Sequence, residues 1–139
     1  MDTLIVAEKL ESLGRYLARI EQKCPASASL LAADPDAQDI VVLNLSRAVQ
    51  LCVDIGSHLL SDTPEQAPRT MGEVFATLSA RAAISPETAE RLRRAVGFRN
   101  IAVHNYERID WEVVHAIATR FLDDFRRFAS EVGCSSGLA

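Results

Sequence analysis

Eight consecutive residues, R-N-I-A-V-H-N-Y from Arg99 to Tyr106, hold the side chains of this 139-residue chain best suited to chemistry on a phosphodiester. Histidine is the one side chain whose unperturbed pKa lies near neutrality, which makes His104 a candidate general base or acid. Arginine carries a permanent charge and paired donors for phosphate oxygens, which makes Arg99 a candidate to hold a scissile phosphate. Asn100 follows the arginine and is placed to orient either group. These types suit RNA cleavage, in which a base takes the 2′-OH proton and a cation stabilises the phosphorane. That chemistry requires no metal and no cofactor. Five residues on a regular helix is about 140° of rotation, so Arg99 and His104 do not share a face of an ideal helix. They converge on one ligand only if the helix end is distorted or if a second copy of the chain completes the site. His104 and Tyr106 are about 200° apart by the same measure. Asn105 tolerates the left-handed conformation, and a helix end at His104–Asn105 is expected on that ground.

The elements that must position these residues are helices. The fold class expected is all-α, an up-and-down four-helix bundle with an additional short helix, in one domain spanning residues 1–139. Val6, Leu10, Leu13, Leu17 and Ile20 are spaced as one apolar stripe, ending before Cys24-Pro25. Asp34-Pro35 caps and opens a second helix running to about Leu60, apolar around much of its circumference. Such a helix is central in the bundle or also covered by a partner chain. Ser61 to Pro68 reads as the longest loop. Thr70 with Glu73 is a capping-box signature for a short helix through about Ala80. Ser85-Pro86 opens the helix that carries the octapeptide. Asp110 caps a last helix, on which Trp111, Val114, Ile117, Phe121, Phe125 and Phe128 fall on one side as core. The tail from about Gly133 is expected to fray.

Charge and cysteine usage narrow the function classes. The net charge is −4, a poor background for nonspecific nucleic-acid binding. Between Arg81 and Arg108, however, six arginines face three glutamates, so that window is locally positive. Three cysteines, Cys24, Cys52 and Cys134, without C-x-x-C spacing fit a reducing compartment, with Cys52 a small buried hydrophobe. The N-terminus has an acid at position 2 and no basic stretch, unlike a signal peptide, and no apolar run reaches the ~20 residues of a membrane span. The expected location is the cytoplasm.

Other constellations are weaker. Asp54 and His58, four residues apart on the second helix, share a face with Ser57 nearby. They either line a cleft beside the octapeptide or make a local hydrogen bond that anchors the helix. Glu112 and His115 have di-iron spacing, but such a centre needs a second pair and two further glutamates, so no metal is expected. Gly56-Ser57 lacks the Asp-x-Asp of a nucleotidyltransferase, and no phosphate-binding loop occurs. By residue type alone three readings stand: a nuclease, a module that holds RNA or a nucleotide without cutting it, and a structural helical partner.

The octapeptide matches Arg-x4-His-x-Tyr. With its flanks, V-G-F-R-N-I-A-V-H-N-Y-E-R-I-D, and with A-V-Q-L-C-V-D-I-G-S-H-L-L on the second helix, the chain resembles the HepT-type toxins of the HEPN superfamily over nearly its whole length. The resemblance implies a metal-independent endoribonuclease acting as a homodimer, with two motifs facing each other across a cleft. It implies Arg99 and His104 as the catalytic pair, supported by Asn100. It further implies a partner antitoxin, an MntA-like minimal nucleotidyltransferase that transfers AMP to Tyr106. The plainer role for Tyr106 is packing with a tethered hydroxyl.

Overall fold

The computed structural model describes residues 3–62 and 68–135, and every regular element among them is helical. In chain order these are α1 (Thr3–Lys23), α2 (Ala28–Ala32), α3 (Pro35–Leu59), α4 (Met71–Ala80), α5 (Pro86–His104), a 3-10 turn (Tyr106–Arg108), α6 (Trp111–Arg120) and α7 (Leu122–Ser135). The architecture is the expected all-α bundle, with two refinements. A five-residue helix, α2, follows Pro25, capped by Ser27, whose Oγ accepts from Leu30 N at 3.2 Å. The last long helix is two helices, broken at Phe121.

Local chemistry explains the other boundaries. Asp34 Oδ1 accepts from Ala37 N at 3.1 Å, and Pro35 follows it where no N–H is needed. Thr70 Oγ1 accepts from Glu73 N at 3.2 Å. The returning Glu73 carboxylate takes the N–H of Arg69, at 2.8 Å, one residue before the capping-box position. Ser85 Oγ accepts from Thr88 N at 3.1 Å, and Asp110 Oδ1 from Glu112 N at 2.9 Å. Most of the loop expected over Ser61–Pro68 lies outside the described residues, as do residues 136–139. α7 itself continues through Gly133 and Cys134, past the point where fraying was expected.

α3 is the axis of the core. Val41, Val42, Leu45, Ala48, Val49, Cys52, Val53 and Ile55 are buried along it, and it packs on α1, α4 and α5. Each buried Val, Leu or Ile among them contributes about 1.5–3 kcal/mol by leaving water. Contrary to expectation, α3 is long and apolar enough by composition to cross a membrane; here that apolar surface is what the bundle closes around. Gly56 lets α4 approach, because a Cβ there would stand 2.4 Å from Val74 Cγ1 and 3.0 Å from Leu78 Cδ1. Phe75 of α4 meets Phe128 of α7 edge to face, with centroids 5.9 Å apart.

The break at Phe121 follows from what each half packs on. α6 lies against α2, whereas α7 lies against α5. Val114 and Ala118 are buried before the break, and Leu122, Phe125, Phe128 and Val132 after it. A single straight helix cannot serve both neighbours. Phe121, expected in the core, is instead 38 % exposed at the bend.

Candidate functional site

The octapeptide straddles the end of α5. Arg99 lies in regular helix and is half-buried against α3 and α4. Its Nη2 donates to Gln50 Oε1 at 3.2 Å, and its Nη1 faces Met71 Sδ at 3.7 Å. Gln50 in turn donates from Nε2 to Asp54 Oδ1 at 3.0 Å. The amide is fixed by chemistry: a guanidinium only donates and a carboxylate only accepts, so the bridging amide presents oxygen to Arg99 and nitrogen to Asp54. The two contacts use two of the five guanidinium N–H donors, which leaves capacity for an oxyanion.

Of the candidates on α3, Asp54 is therefore joined to Arg99, through Gln50. Ser57 is exposed, and His58 is half-buried near the end of the helix. Gln50 had a signal in the sequence, its i,i+4 spacing from Asp54. Met71 had none.

His104 is the last residue of α5, and both it and Asn100 are exposed. The helix stays regular to that point, and no hydrogen bond or ion pair joins His104 to Arg99 among the described residues. The helix end is not distorted, so it does not bring the two side chains together.

The chain leaves α5 at Asn105, where the expected backbone is corrected. Its φ of −153° and ψ of 60° are not left-handed, and its N–H still bonds Ile101 O at 2.8 Å. This non-helical step turns Tyr106 out of the helix path and back toward α3. The phenol donates to Asp39 Oδ1 at 3.1 Å, across 67 positions of sequence. The ring meets Trp111 edge-on, with centroids 6.0 Å apart. Partial burial of the phenol, together with the hydrogen bond to the Asp39 carboxylate and its charge, holds the Tyr106 pKa above the usual tyrosine value. Nothing in the sequence singled out Asp39.

The arginine-rich stretch is less free than its composition implied. Arg93 and Arg94 both pair with Glu90, at 2.8 and 3.4 Å. Arg91 pairs with Glu87 at 3.4 Å and Asp124 at 3.6 Å. Arg99 and Arg108 make no ion pair among the described residues. His115, weighed for metal spacing, has Nε2 2.9 Å from Pro25 O, where it ties α6 to the segment after α1. Apolar side chains flank the motif in the open: Ile101 is 44 % exposed, Val103 52 % and, on α3, Leu43 48 %.

A family model described as ribonuclease HepT-like matches residues 13–132. The chain belongs to the HepT-like family. It is 31 % identical over 124 residues to an mRNA nuclease HepT of Shewanella oneidensis, covering 89 % of this chain and 92 % of that one. It is 29 % identical over 110 residues to a tRNA nuclease HepT of Aphanizomenon flos-aquae, covering 79 % of this chain and 75 % of the relative. Its fold superimposes with a TM-score of 0.87 on a tri-AMPylated Shewanella oneidensis HEPN toxin solved in complex with its MNT antitoxin. That pair shares 29 % identity over 96 % of this chain and 99 % of the other. The HepT-like assignment and the all-helical HEPN fold agree with each other.

Proposed function

We propose that this HepT-like chain is the toxin of a toxin–antitoxin pair, a metal-independent endoribonuclease whose catalytic residues are Arg99 and His104. The observation that carries the reading is the contrast within one helix end. Arg99 is held half-buried with donors to spare, and one and a half turns later His104 stands exposed with no side-chain bond among the described residues. His104 takes the 2′-OH proton, the oxygen attacks phosphorus, and the bond to the 5′-oxygen breaks; that oxygen takes a proton from water and leaves as a 5′-hydroxyl, and a 2′,3′-cyclic phosphate remains. Arg99 stabilises charge on the phosphorane. Asn100 is the supporting polar group, and Asp54, Ser57 and His58 belong to the cleft wall. The nuclease names of the relatives support RNA as the substrate class.

The site works as a homodimer. On a regular α5, Arg99 and His104 point about 140° apart, so a second copy of the motif must face the first to converge on one phosphate. The exposed Val103, four residues after Arg99 on the same face, and Leu43 on α3 supply apolar surface for that assembly. Tyr106 is the acceptor for AMP from an MntA-like nucleotidyltransferase antitoxin, a reading supported by the AMPylated Shewanella toxin.

Purified protein is expected to cut RNA in EDTA and to leave cyclic phosphate ends. The Arg99→Ala/His104→Ala double variant is expected to lose at least about a hundredfold in rate. Undiminished cleavage by the double variant refutes the assignment, and RNA binding without cleavage by the intact protein makes it a binding module.

A further inference from the structure

AMP transfer to Tyr106 needs a destination for the phenol proton. A tyrosine hydroxyl ionises near 10, so at neutral pH the oxygen that attacks the α-phosphorus of ATP still carries its hydrogen. The geometry at the end of α5 supplies a destination from this chain itself. Asp39, in the second turn of α3, accepts the hydrogen bond from the phenol at 3.1 Å. No ion pair involves Asp39 among the described residues, so no cation competes for its charge. The non-helical step at Asn105 and the edge contact with Trp111 hold the ring in this position. Tyr106 nonetheless remains 40 % exposed, open to a nucleotide bound on another protein.

We infer that Asp39 is a catalytic residue of the modification, the general base that takes the Tyr106 proton during AMP transfer. The inference rests on the reading of Tyr106 as the AMP acceptor. The phenol oxygen forms its bond to the α-phosphorus of ATP held by the partner nucleotidyltransferase. The bond from that phosphorus to the β-phosphate oxygen breaks, and pyrophosphate leaves. The hydroxyl proton passes to Asp39 Oδ1 and from there to water. The toxin thus carries part of the machinery of its own silencing. Afterwards the tyrosyl oxygen has no hydrogen to donate, and a phosphodiester anion stands beside the Asp39 carboxylate. The contact that aligned the phenol turns repulsive, so the modified side chain leaves α3.

The contrast between Asp39→Asn and Asp39→Ala separates a base from a latch. The amide introduced by Asp39→Asn keeps an oxygen to accept the phenol hydrogen bond but cannot take the proton at neutral pH. AMP incorporation is measured by intact mass with Mg-ATP and the partner nucleotidyltransferase, on wild type, Asp39→Asn, Asp39→Ala and Tyr106→Phe, with thermal melts to establish folding. Asp39→Asn is expected to be modified about a hundredfold more slowly than wild type. Added formate is expected to speed Asp39→Ala but not Asp39→Asn. Modification of folded Asp39→Asn at the wild-type rate overturns the inference and leaves Asp39 a latch. Wild-type protein that takes up no AMP, or Tyr106→Phe that takes up as much, overturns instead the reading of Tyr106, and this step with it.

Discussion

The two ends of one octapeptide are held by opposite means. Arg99 sits within a helix, half-buried, in a row with Gln50 and Asp54, and beside Met71. Tyr106 lies beyond the helix, exposed, fixed by one hydrogen bond to a residue 67 positions earlier and one ring contact. The first arrangement suits a group that must not move while charge develops on a phosphate, because preorganised donors cost no reorganisation at that moment. The second suits a group that another protein must reach and alter. Both are anchored on α3, at Gln50 and at Asp39, so one core helix sets the rigid end and the accessible end together.

That contrast can be broken from a distance first. Gly56→Ala forces α4 away from α3, because the new methyl meets Val74 and Leu78. It is expected to cost about 1–3 kcal/mol in a denaturant or thermal melt. It is also expected to lower RNA cleavage beyond the loss of folded protein, since Met71 at the start of α4 sits on Arg99. Unchanged stability would show that α4 has room to shift. A closer cut is Gln50→Ala, which removes the hydrogen bond that orients the guanidinium while leaving Arg99 in place. Cleavage kinetics are expected to show kcat lower by about tenfold, with KM little changed, equivalent to one hydrogen bond to a charged group. An equal fall in AMP uptake by this variant would erase the distinction between the two ends.

The smallest expected effect sharpens the accessible end. Burial and the neighbouring carboxylate both disfavour the Tyr106 phenolate. In an ultraviolet titration on a Tyr16→Phe background, Tyr106 is expected to ionise above the free-tyrosine value, and Asp39→Asn is expected to bring that midpoint down. Because the folded-state value is the raised one, the associated stability is complete below the unfolded pKa and is lost as pH rises through the folded pKa. A midpoint unmoved by Asp39→Asn would mean that the contact does not form in solution.

What the sequence made legible was local. The caps at Asp34, Thr70, Ser85 and Asp110 depend on side chains within three residues of the N–H groups they satisfy, and each appears where the residue types placed it. The motif was legible for the same reason, as residue types at fixed spacing. The break at Phe121 was not, because no glycine or proline marks it; it comes from α6 and α7 packing on different helices. α2 is one short turn whose only mark is Ser27. Asp39 and Met71 became visible only once the bundle brought α3 and α4 beside α5. In the arginine-rich window around α5, composition counts charges and not pairs: Arg91, Arg93 and Arg94 are each matched by a carboxylate within 4 Å, as on a solvated charged helix face.

Asn105 has a practical consequence. Its φ of −153° is not the left-handed region that favours glycine or asparagine, and its side chain makes no cap hydrogen bond. The turn from His104 to Tyr106 therefore needs no cap from the Asn105 side chain. Position 105 is exposed and lies between the histidine and the tyrosine. It is a natural place for a small spectroscopic label, which would watch the tyrosine depart from α3 without occupying either residue.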